Sequence, residues 1–308
     1  MTVPSSMFQQ YDFPGSSSGP RLLITGGVHG DEFEPMAAIR RLIDLFQHQA
    51  AEVAGFKGRL TLVPVVNEAA FLRGHRCGDD GLDLARTCPG RPDGSITEQT
   101  AFALSQLIRQ ADFYIDLHTG GTELSVYPLA GYVMHANPAT LNVQRRMAKA
   151  FNLPLIWGTA ANLEGRSLSV ARDANVPAIY CEYLGSATCD PAGVEAYVCG
   201  CLNVMCELGL LERPKVASQI KQIVENPEPD QGHMQICNPS PVTGYFEPGV
   251  QLGDLVSVGS RIGTVYPLDG SPPSVIHATE AGQLIVLRTF PRVKKGESVG
   301  VVMELPTS

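Results

Sequence analysis

The residues best suited to chemistry fall in three short segments. The first is Thr25-Gly-Gly-Val-His29-Gly-Asp-Glu32, after an apolar run and before a helical pattern. In a loop at a strand's C-terminal edge, His29 and Glu32 can both turn inward. They would give one nitrogen and one or two oxygens to a divalent ion, and the glycines let the backbone bend close by. A catalytic zinc set needs a third protein ligand and an open position for water. Alone, the segment reads equally as a helix N-terminus, where the dipole favours acidic side chains. The second segment, Phe113-Tyr-Ile-Asp116-Leu-His118-Thr-Gly-Gly, is an apolar strand ending in a polar pair. Residues two apart on a strand share a face, so His118 can be the third ligand. Asp116 can accept the second ring N–H of a ligating imidazole, most naturally His29. The plainer reading is a structural Asp/His pair at the strand end. The third segment, Ile179-Tyr-Cys-Glu182-Tyr-Leu-Gly185, sets one carboxylate within an apolar strand. Burying it is costly without a partner. Beside a metal-activated water, Glu182 becomes a general base that later protonates a leaving amine. Otherwise it is a surface glutamate on an exposed strand end.

These segments need strands to carry them. Expected strands are 21–25, 59–66, 113–118, 153–157 and 178–183. Expected helices are 34–48, 97–110, 138–151, 167–175 and 191–211. Ser95 and Glu98 have the spacing of a capping box opening the second helix. Strands alternating with helices predict an α/β domain on a mostly parallel or mixed sheet. After about Pro229 the helical period stops, and only short β-like runs punctuated by Gly and Pro remain. Val256-Ser-Val-Gly259-Ser-Arg-Ile262-Gly263 matches Val293-Lys-Lys-Gly296-Glu-Ser-Val299-Gly300, each copy preceded by a glycine-led strand at Gly244 and Gly282. Such a repeat resembles the barrel-sandwich fold of biotinyl and lipoyl domains. No lysine lies between Lys221 and Lys294, and Lys294–Lys295 sit at the wrong place in the repeat, so a carrier role is disfavoured. The expected organisation is an N-terminal surface segment at 1–20, an α/β domain at 21–228 and a C-terminal β domain at 229–308.

Composition narrows the function classes. The 308 residues are 44% hydrophobic and 18% charged, enough apolar content for a substantial core. The formal net charge is −8 with no basic patch, so neither nucleic acid nor an anionic membrane is an expected partner. No apolar run approaches the roughly 20 residues of a membrane helix. Residues 1–20 lack the charged start and apolar core of a secretory signal. The 8 cysteines contain no C-x-x-C pair, which reads as reduced cysteine in a cytoplasmic protein.

Taken together and in this order, the segments resemble the succinylglutamate desuccinylase/aspartoacylase family, a branch of the zinc carboxypeptidase-like fold. The likeness spans about Arg21 to Leu211, and a C-terminal β domain also occurs in that family. It implies a mixed sheet flanked by helices, followed by a small all-β barrel-sandwich-like domain. It implies one Zn2+ per chain on His29, Glu32 and His118, with Glu182 as the base. The stretch Asn67 to Arg73 corresponds to the family's Asn…Arg region. That match implies a substrate-binding Asn67 and an Arg73 that polarises the scissile carbonyl. Gly81 to Gly90 corresponds to an Asp-Leu-Asn-Arg-x-Phe-Pro-Gly segment, and Arg86 would clamp a substrate carboxylate. Here Ala85 stands where the family has Asn and Cys88 where it has Phe, which removes one carboxylate donor and leaves substrate identity open. Arg166 is a further pocket candidate, although arginines in loops are ordinarily solvated charge. The implied activity is removal of an acetyl- or succinyl-type group from a small N-acyl amino acid or diamino acid. Two alternatives stay open, a metallocarboxypeptidase acting on peptides and a non-catalytic metal-dependent binding protein. Self-association to a homo-oligomer is also left open.

Overall fold

The computed structural model describes residues 7–226 and 237–305. In chain order its first part contains β1 (Tyr11–Pro14), β2 (Arg21–Thr25), α1 (Phe33–Gln47), β3 (Arg59–Val63), α2 (Glu68–Arg73), α3 (Ile96–Gln110), β4 (Phe113–His118) and β5 (Leu124–Val133). There follow α4 (Pro138–Phe151), β6 (Leu155–Thr159), α5 (Ser167–Asp173), β7 (Ala178–Gly185), α6 (Pro191–Glu207) and β8 (Gln222–Glu225). The expected strands and helices are all present, with ends shifted by a few residues. Pro64 closes β3 early, because it has no N–H for the ladder. The capping box forms, with the Ser95 hydroxyl on the Glu98 N–H and the Glu98 carboxylate on the Ser95 N–H.

Alternation along the strands divides the core. In β2, Leu22 and Ile24 join one apolar cluster while Leu23 joins another. In β4, Ile115 and Leu117 face the first cluster and Tyr114 the second; in β7, Ile179 and Cys181 face the first and Ala178 the second. Helices α1, α4 and α6 fill the first side, and α3 and α5 the second. The result is a three-layered α/β domain. Strands β3, β2, β4 and β7 run parallel as neighbours, which puts the C-terminal ends of β2, β4 and β7 side by side. Open sheets of this kind bind ligands beyond those ends.

Three strands of this part were not expected: β1, β5 and β8, the last pairing parallel with β6. β1 pairs antiparallel with β3, so residues 11–14 form the sheet edge, and Phe8 is buried nearby. β5 runs antiparallel to β7 and carries a register shift between Val126 and Leu129, where Pro128 falls. Proline is tolerated at such bulges. The bulge also divides β5 between partners: residues 124–126 pair with β13 (Gly282–Arg288) of the C-terminal region, and residues 129–133 pair with β6.

The C-terminal region is all β: β9 (Gly244–Pro248), β10 (Leu255–Val256), β11 (Arg261–Pro267), β12 (Ser274–His277), β13, β14 (Arg292–Val293) and β15 (Gly300–Met303). The repeat read from sequence has a structural counterpart. Val256 of the first copy pairs with Gly282, which opens the second, and Val293 of the second copy pairs with Gly244, which opens the first. The copies thus interlock around Ile262, Val265, Leu284, Val293 and Val299. Through the β5–β13 pairing this region extends the main sheet. The expected boundary near residue 229 lies outside the described residues.

Candidate active site

Strand register brings the chemistry together. Thr25 is level with Asp116 across β2 and β4, and His118 is level with Glu182 across β4 and β7. The loop after β2 delivers His29 and Glu32 over these ends. Close packing fixes this loop: a Cβ on Gly30 would lie 2.1 Å from the backbone of Ala70, so only glycine lets α2 cover it. Glu32 is the residue just before α1, where the helix N-terminus favours a carboxylate.

His29, Glu32 and His118 each offer a ligand atom, all within 4.8 Å of one another. The Nδ1 atoms of His29 and His118 flank the Glu32 carboxylate at 2.6 and 3.1 Å. Each imidazole is held by its other nitrogen: His29 Nε2 lies 3.1 Å from Asp83 Oδ1, and His118 Nε2 lies 3.1 Å from Asp116 Oδ2. Carboxylates behind the imidazoles set tautomer and ring orientation in metal sites. Asp116 therefore supports His118 and not His29 as expected. The two share β4, which aims both side chains the same way, whereas Asp83 reaches His29 from the loop after α2. Asp116 is itself fixed by the hydroxyls of Thr25 and Ser167. The donor set, two imidazoles and a carboxylate with rear partners, fits a zinc ion.

Electrostatics divide the carboxylates. Burial alone would raise Glu32, but His29 and His118 hold it well below the usual carboxylate range. Asp83 is likewise low, because His29 and Arg76 outweigh its burial. Glu182 goes the other way: burial pushes it up to about 8, and its Oε2 has no hydrogen-bond partner among the described residues. That is the environment of a group that exchanges protons near neutral pH.

These groups line a cavity of about 120 Å³, together with Arg76, Ala85, Arg86, Arg166, Tyr180 and the apolar side chains Val126, Leu168 and Val286. Val286 belongs to β13, so the C-terminal region walls the site. Arg86 and Arg166 are in the cavity, as expected. Each is lowered by burial, and Arg86 further by repulsion from Arg166. Arg73 is not in the cavity. It ends α2, faces solvent, and donates to the carbonyls of Cys77 and Gly78. The arginine of this stretch that lines the cavity is Arg76, past the left-handed turn at Gly74 and held by Asp83 Oδ2 at 3.0–3.1 Å. Asn67 also lies off the cavity wall. Its Oδ1 caps α2 by accepting from the Ala70 N–H. Sequence reading missed Arg76 and Asp83. The usable signal was Gly74, a helix terminator after which Arg76 is free to turn away from Arg73.

Residues 18–203 match the succinylglutamate desuccinylase/aspartoacylase catalytic domain. The chain belongs to this family. Among relatives, the N-alpha-acetyl-L-2,4-diaminobutyric acid deacetylase of Halomonas elongata is 30% identical over 305 residues, covering 94% of this chain and 84% of that protein. The product-bound ectoine utilization protein EutE (DoeB) of Ruegeria pomeroyi superposes with a TM-score of 0.81 at 30% identity, over 95% of this chain and 87% of that one. A succinylglutamate desuccinylase/aspartoacylase from Rhodobacter sphaeroides gives 0.80 at 28% identity, over 94% and 85%. Family membership agrees with the expected fold: a mixed sheet between helices, then an antiparallel β region. Among the described residues no helix is long and apolar enough to cross a membrane.

Proposed function

We propose that this chain is a zinc-dependent deacylase that hydrolyses the amide bond of a small N-acyl amino acid or N-acyl diamino acid. The observation that carries the reading is the convergence of His29, Glu32 and His118 beside a buried Glu182 whose Oε2 has no hydrogen-bond partner among the described residues. Zinc on those three residues would supply a Lewis acid for the water and the acyl oxygen. Glu182 takes the proton of the attacking water and delivers it to the departing nitrogen, giving a carboxylate and a free amine. Arg76 directs N–H groups at the oxygen that gains charge, and its pairing with Asp83 keeps the guanidinium in place. Arg86 and Arg166 attract the substrate carboxylate. The Halomonas elongata relative acts on an N-acetyl diamino acid, which supports an acetyl group and a diamino acid as the first choices. The small cavity walled by Val286 favours such molecules over peptides. Cys77, Cys88, Cys181, Cys189, Cys199, Cys201 and Cys206 are free thiols, which supports a reducing, cytoplasmic setting.

The test is a screen of the zinc-loaded protein with N-acetyl, N-succinyl and N-formyl amino and diamino acids beside dipeptides, with the freed amine quantified. Release from an N-acyl amino acid in preference to dipeptides is the expected result. Preferred dipeptide cleavage would make the protein a carboxypeptidase, and tight binding without turnover would make it a binding protein.

A further inference from the structure

Tyr180 and Glu182 are two residues apart on β7 and share its cavity face. Across the antiparallel ladder Tyr180 stands opposite Gly131 of β5. A Cβ at Gly131 would fall 2.2 Å from the Tyr180 ring, so the glycine lets the ring lie against the neighbouring strand. The hydroxyl oxygen lies 2.6 Å from the same Cβ position, so ring and hydroxyl both sit over Gly131, and the hydrogen bond of the hydroxyl is left to be accounted for. No hydrogen bond from that hydroxyl is made among the described residues, although the side chain is half-buried and a tyrosine hydroxyl so placed normally finds a partner.

The other hydroxyls on the cavity wall are engaged. Ser167 donates to Asp116, Ser169 to the Arg166 carbonyl and Thr159 to the Tyr132 carbonyl, and Thr119 accepts from the Gly121 N–H. Ala85 brings only a methyl group to this wall. The charge beside Tyr180 is positive: Arg166 is its cationic neighbour, the Arg166 Nε is buried without a hydrogen-bond partner, and Arg86 adjoins Arg166. A phenol and two guanidiniums together form a donor-only surface, which suits an anion.

We propose that the Tyr180 hydroxyl donates to the substrate carboxylate beside Arg166 and is a specificity-determining residue, a role that rests on the reading of this site as an amino-acid deacylase. Burial raises Tyr180 above the usual phenol range, which keeps the hydroxyl a donor at neutral pH.

Tyr180→Phe removes the hydroxyl and retains the ring over Gly131. Two ligands are compared on zinc-loaded wild type and variant, an N-acetyl amino acid and its carboxamide, with Kd from calorimetry and KM and kcat where turnover occurs. Tyr180→Phe is expected to weaken the acid by roughly 10- to 100-fold, as for a hydrogen bond to a charged group, with kcat little changed and the carboxamide unaffected. Equal weakening of acid and carboxamide would reduce Tyr180 to packing, and no weakening of the acid would also overturn the proposal. Turnover by wild type reports separately on the deacylase reading, because binding of the acid is measured whether or not it is cleaved.

Discussion

At one end of the cavity the protein supplies its own partners; at the other it leaves them to the ligand. His29, Glu32 and His118 are hydrogen-bonded on both donor or acceptor atoms, and Asp83 and Asp116 stand behind the imidazoles. The support reaches further, through Thr25 and Ser167 on Asp116 and Arg76 on Asp83. The far end has Arg166 Nε without a hydrogen-bond partner, the Tyr180 hydroxyl open, and a methyl group at Ala85. The first end is preorganised for chemistry that must not vary. The second has a guanidinium N–H and a phenol without partners among the described residues, and our proposal places substrate choice there. Within the first end, Glu182 alone keeps an unpartnered oxygen, as a group that must accept a proton would.

The contrast can be broken most severely at His118. His118→Ala is expected to lose stoichiometric zinc by elemental analysis, and activity by on the order of 10³-fold or more. A variant that kept its metal would show that the three side chains do not act as one site. The next largest effect separates the two arginines of the α2 region. Arg76→Ala should lower kcat by roughly 10²- to 10³-fold, as for loss of an oxyanion donor, while Arg73→Ala leaves kcat near wild type. The reverse result would restore Arg73 to the site.

This pair also shows how far the sequence could be read. His118 and Glu182 were legible because alternation along their apolar strands sets direction, and His29 and Glu32 because a glycine-rich loop directly follows one. Arg73 ends α2 and Arg76 lies in the loop beyond it; the left-handed turn at Gly74 decides which one enters the cavity, and residue spacing carries no such information. Asp116 was placed behind the wrong imidazole for a related reason: its face was readable, but the loop that brings Asp83 to His29 was not. β5 was missed because Pro128 and Gly131 break its strand pattern. In the fold the proline sits at the bulge and the glycine faces Tyr180.

An effect of middle size follows from the charges at the metal end. Burial opposes a charge on His118, but Asp116 and Glu32 outweigh it and raise the imidazole well above 6.5. Protons therefore compete with metal, and zinc affinity should fall on acidification through the neutral range, by roughly tenfold per pH unit for one displaced proton. Competition titration with a chelator at several pH values measures this, and a flat profile would contradict it. The smallest effect belongs to Asn67, which caps α2 away from the cavity wall. Asn67→Ala should cost about 1 kcal/mol of stability in urea unfolding and leave KM unchanged. A raised KM at full stability would return Asn67 to substrate binding.

In the proposed function Glu182 moves the proton at a site whose metal His29, Glu32 and His118 would hold. Glu182→Gln keeps the shape and burial of the side chain and removes the base. Zinc content and single-turnover rate measured on the same preparation test the claim most directly. Wild-type zinc stoichiometry with a rate reduced by roughly 10²- to 10⁴-fold is the expected result. Full zinc with a near-normal rate would contradict it.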